Sequence, residues 1–401
     1  MISKEARNDT ILTILSKVAI ALLSIAITAC ITQFWGAEGK GHQAIFIANL
    51  SLIIIVTNIF TNSSISYFVR KVGASKLFAQ ACIWTFISST IGVLISHYFD
   101  SRPYTIFLLI ACLLTGYLTF HNSLYIGMQK IKYFNLLTIL QPLFLLFFMY
   151  LFYITINTGY YDYFYAYFFS LITVIIIAHF LTRKTVGKIK WQLDFSVAKK
   201  TFNYGFQNEL SGFFQFFVTR LSFYFIVYYL GEVSLGIFSV GISISEAVWV
   251  ISRSISMVQY SNIIKEGNTQ NARKGVVTTS LFSIVFTLLC IIFILILPKS
   301  LFGYVFGPEF SEVKQIVFLM SPGILFISFS TIYGHYFAAI GKMKILIFKS
   351  VAGAVLTFIL LIFLIPLWEI NGACITNSIV HFVSSAIIVA YFFMMNAKPR
   401  K

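Results

Sequence analysis

Six charged side chains stand inside long apolar runs of this chain: Lys17, Glu209, Arg220, Glu246, Arg253 and Lys349. A charge at the centre of a bilayer costs about 2.5–3.5 kcal/mol on insertion scales, so each of the six must face protein or water rather than lipid. Glu246 and Arg253 are seven residues apart, which at 100° per residue leaves them about 20° apart on one helix face. Glu209 and Arg220, eleven apart, share a face in the same way. Ser243, Ser245, Ser252 and Ser256 extend the Glu246 edge, and such an edge belongs against another helix or on a wet cavity. Arginine offers an oxyanion a bidentate fork and lysine a point charge, while a carboxylate among them can act as counter-ion or carry a proton. His381, inside the last apolar run, is a further group that titrates near neutral pH, or else a packing histidine.

The elements that must position these groups are transmembrane helices. Of 401 residues, 59% are hydrophobic and 10% charged, against about 25% charged in a soluble domain. Apolar runs long enough for a hydrocarbon core about 30 Å thick recur along the whole length. They are continuous and lack the alternation of barrel strands. Their breaks predict twelve helices at 10–34, 43–68, 77–98, 104–126, 135–157, 163–181, 206–230, 235–258, 276–297, 313–333, 344–366 and 371–394.

Counting basic residues in the connections gives 21 on the side of the termini and four, Lys40, Arg102, Lys299 and Lys314, on the other. The positive-inside rule therefore puts both termini in the cytoplasm. Lys17, Arg253 and Lys349 then lie near cytoplasmic helix ends, where long side chains can snorkel, and Arg220 and Glu246 lie near mid-membrane. The net charge of +16 is spread between spans, which argues against a nucleic-acid partner and for topology. Five cysteines stand singly, without metal-ligand spacing. No cofactor or metal is implied. The tyrosine-rich stretch 160–167 reads as an interfacial aromatic belt.

The longest connection divides the chain into an N-terminal six-helix lobe, 1–181, a cytoplasmic linker, 182–205, and a C-terminal six-helix lobe, 206–401. Within the linker, Trp191, Phe195, Ala198 and Phe202 have helical spacing opposite Lys199 and Lys200, the pattern of an amphipathic helix on the inner leaflet. The halves also resemble each other. "FWGAEGKGHQAIF" (34–46) matches "YLGEVSLGIFSVG" (229–241), with Gly36 and Gly41 parallel to Gly231 and Gly236, and "IGMQKI" (126–131) matches "IGKMKI" (340–345). The fold expected is all-α and integral to the membrane, two six-helix lobes related by a pseudo-twofold axis around a central cavity.

The glycine-paired connection at 34–46, the stretch "RLSFYFIVYYLGEVSLGIFSVGISISEAVWVISRSIS" (220–256), "VFGPEF" (305–310) and "IPLWEINGACI" (365–375) together resemble Wzx-type polysaccharide-unit (O-antigen) flippases of the multidrug/oligosaccharidyl-lipid/polysaccharide (MOP) exporter superfamily. One position departs from the pattern: Ser222 stands where such proteins often carry an aspartate. The resemblance implies a bacterial inner-membrane transporter, not an enzyme, whose lobes rock to open alternately inward and outward. Its cargo would be an undecaprenyl-diphosphate-linked oligosaccharide moved to the periplasmic leaflet for O-antigen, capsule or another exopolysaccharide. A contact with a polysaccharide polymerase is implied by the same resemblance, besides membrane lipids.

On that reading Arg220, Arg253 and Lys17 contact the anionic diphosphate, Gln207, Asn208 and Gln215 meet sugar hydroxyls, and Glu246 or His381 serves as counter-ion or takes up a coupling proton or sodium ion. A structural ion pair between Arg220 and Glu246 is the competing reading. A drug or cation exporter of the same superfamily would need an acid in its cavity, for which Glu246 is the candidate. An O-antigen polymerase would carry a long outer loop with arginines, whereas here Arg102 is the only arginine in the outer connections.

Overall fold

The computed structural model describes residues 4–99, 102–266 and 269–397, all of whose regular elements are helical. They are α1 (Lys4–Thr61), α2 (Ser63–Val72), α3 (Ala74–Phe99), α4 (Thr105–Gly127), α5 (Ile131–Thr155), α6 (Tyr161–Val186), α7 (Phe195–Glu266), α8 (Thr269–Ile296), α9 (Lys299–Phe306), α10 (Val313–Ala339) and α11 (Met343–Ala397), with one 3-10 turn at Pro308–Phe310. Nine helical stretches among the described residues are long and apolar enough to cross a bilayer, rather than twelve separate ones. Three pairs expected as distinct helices are fused, because a single residue makes each turn: Gly36 in α1, Gly231 in α7 and Glu369 in α11 interrupt the helical dihedrals. No polar loop separates them.

The chain divides into two compact units. One comprises the chain up to Ile27 with Ile45–Phe213, the other Thr28–Ala44 with everything from Phe214 onward. In the first, α4 packs against α2, α3, α5 and α6. Ile65, Leu77, Phe120 and Leu124 form one buried cluster, and Tyr125, Leu137, Leu171 and Val174 another. In the second, α10 packs against α8 and α11 around Ile332, Tyr333, Phe337 and Phe392. Leu281, Phe282, Val285, Leu289 and Phe293 on α8 are more than half exposed. An apolar stripe of that extent is stable facing lipid, not water.

The tyrosine-rich stretch is a packed aromatic cluster. Tyr163 and Phe164 are buried and meet Phe46 and Tyr104 edge-on or tilted, and buried Asp162 accepts hydrogen bonds from the Thr158 hydroxyl and amide at 2.6 and 3.2 Å. Within 182–205, α6 ends at Val186, the chain is irregular over 187–194, and α7 begins at Phe195, not at Trp191. Asp194 caps it, accepting the amides of Ser196 and Val197 at 3.1 and 3.3 Å. The Ser196 hydroxyl and Lys76, 3.1 Å away, with the Val197 amide, hold the Asp194 carboxyl down to about 2. A carboxylate lowered in the folded state stabilises it above its ordinary range near 4 and loses that contribution as pH falls from there to about 2. Protection of the Ser196 and Val197 amides, taken relative to their intrinsic exchange rates, should therefore hold at pH 5 and fall below pH ~3, and Asp194→Asn should abolish that pH dependence.

The internal repeat is written in the backbone. Gly36 and Gly231 both have positive φ, 64° and 82°, with extended ψ, a conformation glycine adopts without steric cost. Five residues beyond each, the chain makes a reciprocal contact: a Cβ on Gly41 would lie 2.0 Å from the Glu232 carbonyl oxygen, and one on Gly236 1.9 Å from that of Ala37. A second series of left-handed residues, Gln129 and Asn157, recurs at Gly341 and Glu369, in both cases 212 residues later. The turns match as well: the Lys130 amide donates to Tyr125 and the Lys342 amide to Phe337 at 2.8 and 2.9 Å. The sequence match of Gly127 with Gly341 is thus out by two residues, since it is Gln129 that occupies the equivalent turn.

The "VFGPEF" loop serves the first kink. Glu309 Oε2 accepts the Ala37 amide at 2.8 Å, and Gln33 Nε2 donates to the carbonyls of Tyr304 and Val305 at 2.9 and 3.1 Å. Where the helix restarts after Gly36, its first amides lack intrahelical acceptors, and a carboxylate there meets the positive end of the helix dipole. Glu309→Ala should cost about 0.5–2 kcal/mol, as loss of an N-cap does, read as a lower melting temperature in detergent.

Candidate functional site

The kink at Gly231 lets two segments of α7, 26 residues apart, pair their charges. Arg220 Nη2 donates to Glu246 Oε1 at 2.6 Å. The arginine side chain is 21% exposed and the glutamate 42%, so the pair is only partly withdrawn from its surroundings. The Arg220 guanidinium also lies 5.0 Å from the Phe223 ring centroid. Beside the pair is a cavity of about 40 Å³, lined by Arg220, Glu246, Trp249, Asn377 and His381 among others. Three residues singled out in the sequence, Arg220, Glu246 and His381, therefore meet at one place.

Arg253 lies two turns beyond Glu246, exposed, with its guanidinium 5.0 Å from the Trp249 ring. The indole is fixed on its other side, Nε1 donating to Thr331 Oγ1 at 3.0 Å. Glu246, Trp249 and Arg253 are thus consecutive positions of one helix stripe, as the seven-residue spacing required. The serine edge is divided. Ser245 lines the cavity, but Ser252 and Ser256 are buried, and Ser252 bonds to Ser283 and Thr287 of α8 at 2.8 and 3.3 Å. Ser252 is rotated about 100° from Arg253, enough to turn it into a helix contact.

The remaining residues have contacts of their own. Gln215, in the same unit, accepts the Ser350 hydroxyl at 3.4 Å. Lys349 is half-buried on α11. In the first unit, Lys17 lies 5.9 Å from the Phe134 ring, Asn208 Nδ2 donates to the Tyr204 carbonyl at 2.7 Å, and Gln207 is exposed. Glu209 accepts Asn62 Nδ2 at 3.2 Å, where the chain breaks between α1 and α2.

Sequence reasoning missed three members of the second unit's polar set. Trp249 and Asn377 line the cavity. Asn377 is one turn before His381, so the helical spacing could have found it. Lys40, counted in an outer connection, is 4% exposed, donates to Gln43 Oε1 at 2.8 Å, and feels the charges of both Arg220 and Glu246. Its neighbours in sequence are glycines and polar residues, and nothing local signals burial. In the first unit, a buried chain of His121, Thr182 and Tyr125 also escaped notice, with both contacts at 2.8 Å.

No protein-family model matches the chain. Among solved structures, an inward-facing multidrug resistance MATE family transporter of the MOP superfamily superposes with a TM-score of 0.74 at 12% identity, covering 94% of both chains. The Vibrio cholerae MATE transporter VcmN gives 0.70 at 13%, covering 99% of this chain and 98% of that one. The chain therefore has a MATE-like fold, and its long apolar helices are those of a multi-pass integral membrane protein. In sequence it is 30% identical over 169 residues to the Staphylococcus aureus "capsular polysaccharide biosynthesis protein CapF", a match that spans 41% of each protein.

Proposed function

We propose that this protein is a flippase that moves polyprenyl-diphosphate-linked oligosaccharide units, the undecaprenyl carrier being the one the resemblance implies, from the cytoplasmic to the periplasmic leaflet of a bacterial inner membrane. The observation that carries the reading is the polar stripe of α7: Arg220, paired with Glu246, and Arg253, beside the Trp249 ring, stand on one long helix of a transporter fold. Cations at different depths replace phosphate hydration along the path. The Trp249 face beside Arg253 suits a sugar ring next to its phosphate. CapF, named for capsular polysaccharide biosynthesis, supports the same substrate class.

In this reading the three fused stretches, 58, 63 and 53 residues long, each cross twice, since a 58-residue helix extends about 87 Å against a core of about 30 Å. Twelve crossings with both termini cytoplasmic follow. The six-helix lobes rock in alternating access, coupled to a proton or sodium ion through Glu246 or His381. Lys17, Gln207 and Asn208 are assigned to the cargo by resemblance.

A strain deleted for this gene and lacking its surface polysaccharide tests the proposal. Expression should restore the polymer and clear lipid-linked units from the inner leaflet. Restored resistance to cationic drugs with no effect on polysaccharide would instead make it a drug exporter, a reading favoured by the multidrug transporters that share its fold.

A further inference from the structure

Between the end of α6 at Val186 and the start of α7 at Phe195, the first unit carries a short basic ledge. It lies at the mouth of the spans. The Lys190 amide donates to Ser75 Oγ at 3.0 Å, the Trp191 ring meets Phe78 edge-on at 5.9 Å, and Asp194 holds Lys76 at 3.1 Å. All three partners belong to the opening turns of α3, which begins at Ala74, so the segment is fixed against the protein although it has no regular structure over 187–194. The first turns of α7 are fixed as well. Val197 packs into the cluster around Ile65 and Leu77, and Gln80 Nε2 donates to the buried Thr201 hydroxyl at 3.2 Å. Phe195 and Lys199 each lie about 200° around the helix from Val197, and so about 40° from each other, on the face turned away from that core.

What the ledge leaves uncovered is apolar and basic together. Trp191, Leu193 and Phe195 are 62%, 45% and 79% exposed, and the exposed Lys188, Lys190, Lys199 and Lys200 flank them in the chain. Asp194 is the one acid between Arg183 and Asn208, and it is engaged by Lys76 and the first amides of α7. Exposed large apolar side chains in one stretch mark a surface that something covers. Tryptophan and its apolar neighbours find that cover at the headgroup level of a bilayer, and lysines clustered beside a span attract anionic headgroups. We propose that this ledge binds the anionic phospholipid headgroups of the leaflet it faces, the cytoplasmic one in the orientation proposed above, in preference to zwitterionic lipid. Charge decides the occupant. Zwitterionic headgroups would cover the apolar side chains but leave four lysines unmet, and a second copy of this chain would bring the same unmet lysines together. The surface gives the protein a lipid preference separate from its cargo path.

The full chain is reconstituted in phosphatidylcholine vesicles containing a minor fraction of phospholipid brominated high on its acyl chains, because bromine quenches indole fluorescence on contact. The share of the emission due to Trp191 is the difference between wild type and Trp191→Phe. Brominated phosphatidylglycerol should quench that share several-fold more than brominated phosphatidylcholine at the same fraction. The preference should fade as salt shortens the Debye length from about 10 Å at 0.1 M to about 3 Å at 1 M. Lys188→Gln, Lys190→Gln, Lys199→Gln and Lys200→Gln combined should abolish it, each lysine near the surface being worth about fivefold. Equal quenching by the two lipids in the wild type means that the ledge touches the bilayer through its apolar side chains alone, and overturns the proposal. Quenching by neither means that water or protein covers Trp191, a second copy if the chain also runs as a dimer, and overturns it too, as does a preference that survives in the lysine variant. Should that variant fail to fold, the salt series on the wild type decides. No cargo or transport enters the measurement, so either result leaves the flippase reading where it stood.

Discussion

Arg220→Ala is expected to leave the protein abundant while lipid-linked units accumulate on the cytoplasmic leaflet. The substitution strands Glu246, whose side chain is 42% exposed and can relax toward water, so the cost in stability is about 1–2 kcal/mol after allowance for screening. On the proposed function, transport loses a cation that meets the diphosphate, and a lost charge-assisted contact of about 1.5–3 kcal/mol would slow it about 10- to 100-fold. Glu246→Ala is the harsher change for the fold. It leaves the less exposed Arg220, at 21%, with Nη1 and Nη2 both unpaired, costing about 2–4 kcal/mol. The double variant should recover part of that stability, since neighbouring charges are not additive, yet remain inactive. Immunoblots and polysaccharide gels on expression-matched strains measure both quantities. If each single variant loses the protein and the double variant restores protein and transport together, the pair is only structural and Arg220 has no part in cargo binding.

The second large effect is expected at the reciprocal glycines. Gly41→Ala or Gly236→Ala places a methyl about 2 Å from a carbonyl oxygen of the facing segment, far inside van der Waals contact. The obstruction is backbone in both cases, Glu232 and Ala37, so no side-chain rotation relieves it and the segments must separate. Overpacking of this kind costs about 1–3 kcal/mol, and more where the backbone cannot yield. Each variant should show a lower melting temperature and reduced folded yield by size-exclusion chromatography, with the double variant unfolded. Gly275→Ala, where an added Cβ would meet nothing, is the control. Unaltered melting in both single variants would mean that the close approach is not maintained in the membrane.

The same two examples show how far the sequence could be read. The spacing of Glu246 and Arg253 put them on one stripe because helical geometry is local and every backbone polar group in a bilayer must be satisfied within its own helix. The glycine pairs were visible as a repeat for a similar reason: a left-handed turn at Gly36 and Gly231 and a close backbone approach at Gly41 and Gly236 both demand glycine, and the demand recurs at equivalent places. Where the left-handed residue is not glycine, as at Gln129, Asn157 and Glu369, the signal vanished and one alignment slipped by two residues. At three of the expected breaks the chain turns at a single residue, Gly36, Gly231 or Glu369, so that the two helices follow one another without an irregular loop.

The all-α, membrane-embedded character of this protein and the identity of its costly charges were determined by sequence alone, because hydrophobic length and the price of a buried charge are properties of segments. Which charges meet was decided by tertiary structure. The Arg220–Glu246 pair, the burial of Lys40, the cavity that Asn377 and Trp249 share, and the diversion of Ser252 to α8 all depend on contacts between segments far apart in the chain. Such contacts are fixed by helix packing, whose rotational settings differ by a fraction of a turn, and the sequence records them only in part: it offered the Arg220–Glu246 pair as one of two readings and placed Asn377 one turn from His381, but held no sign of the burial of Lys40.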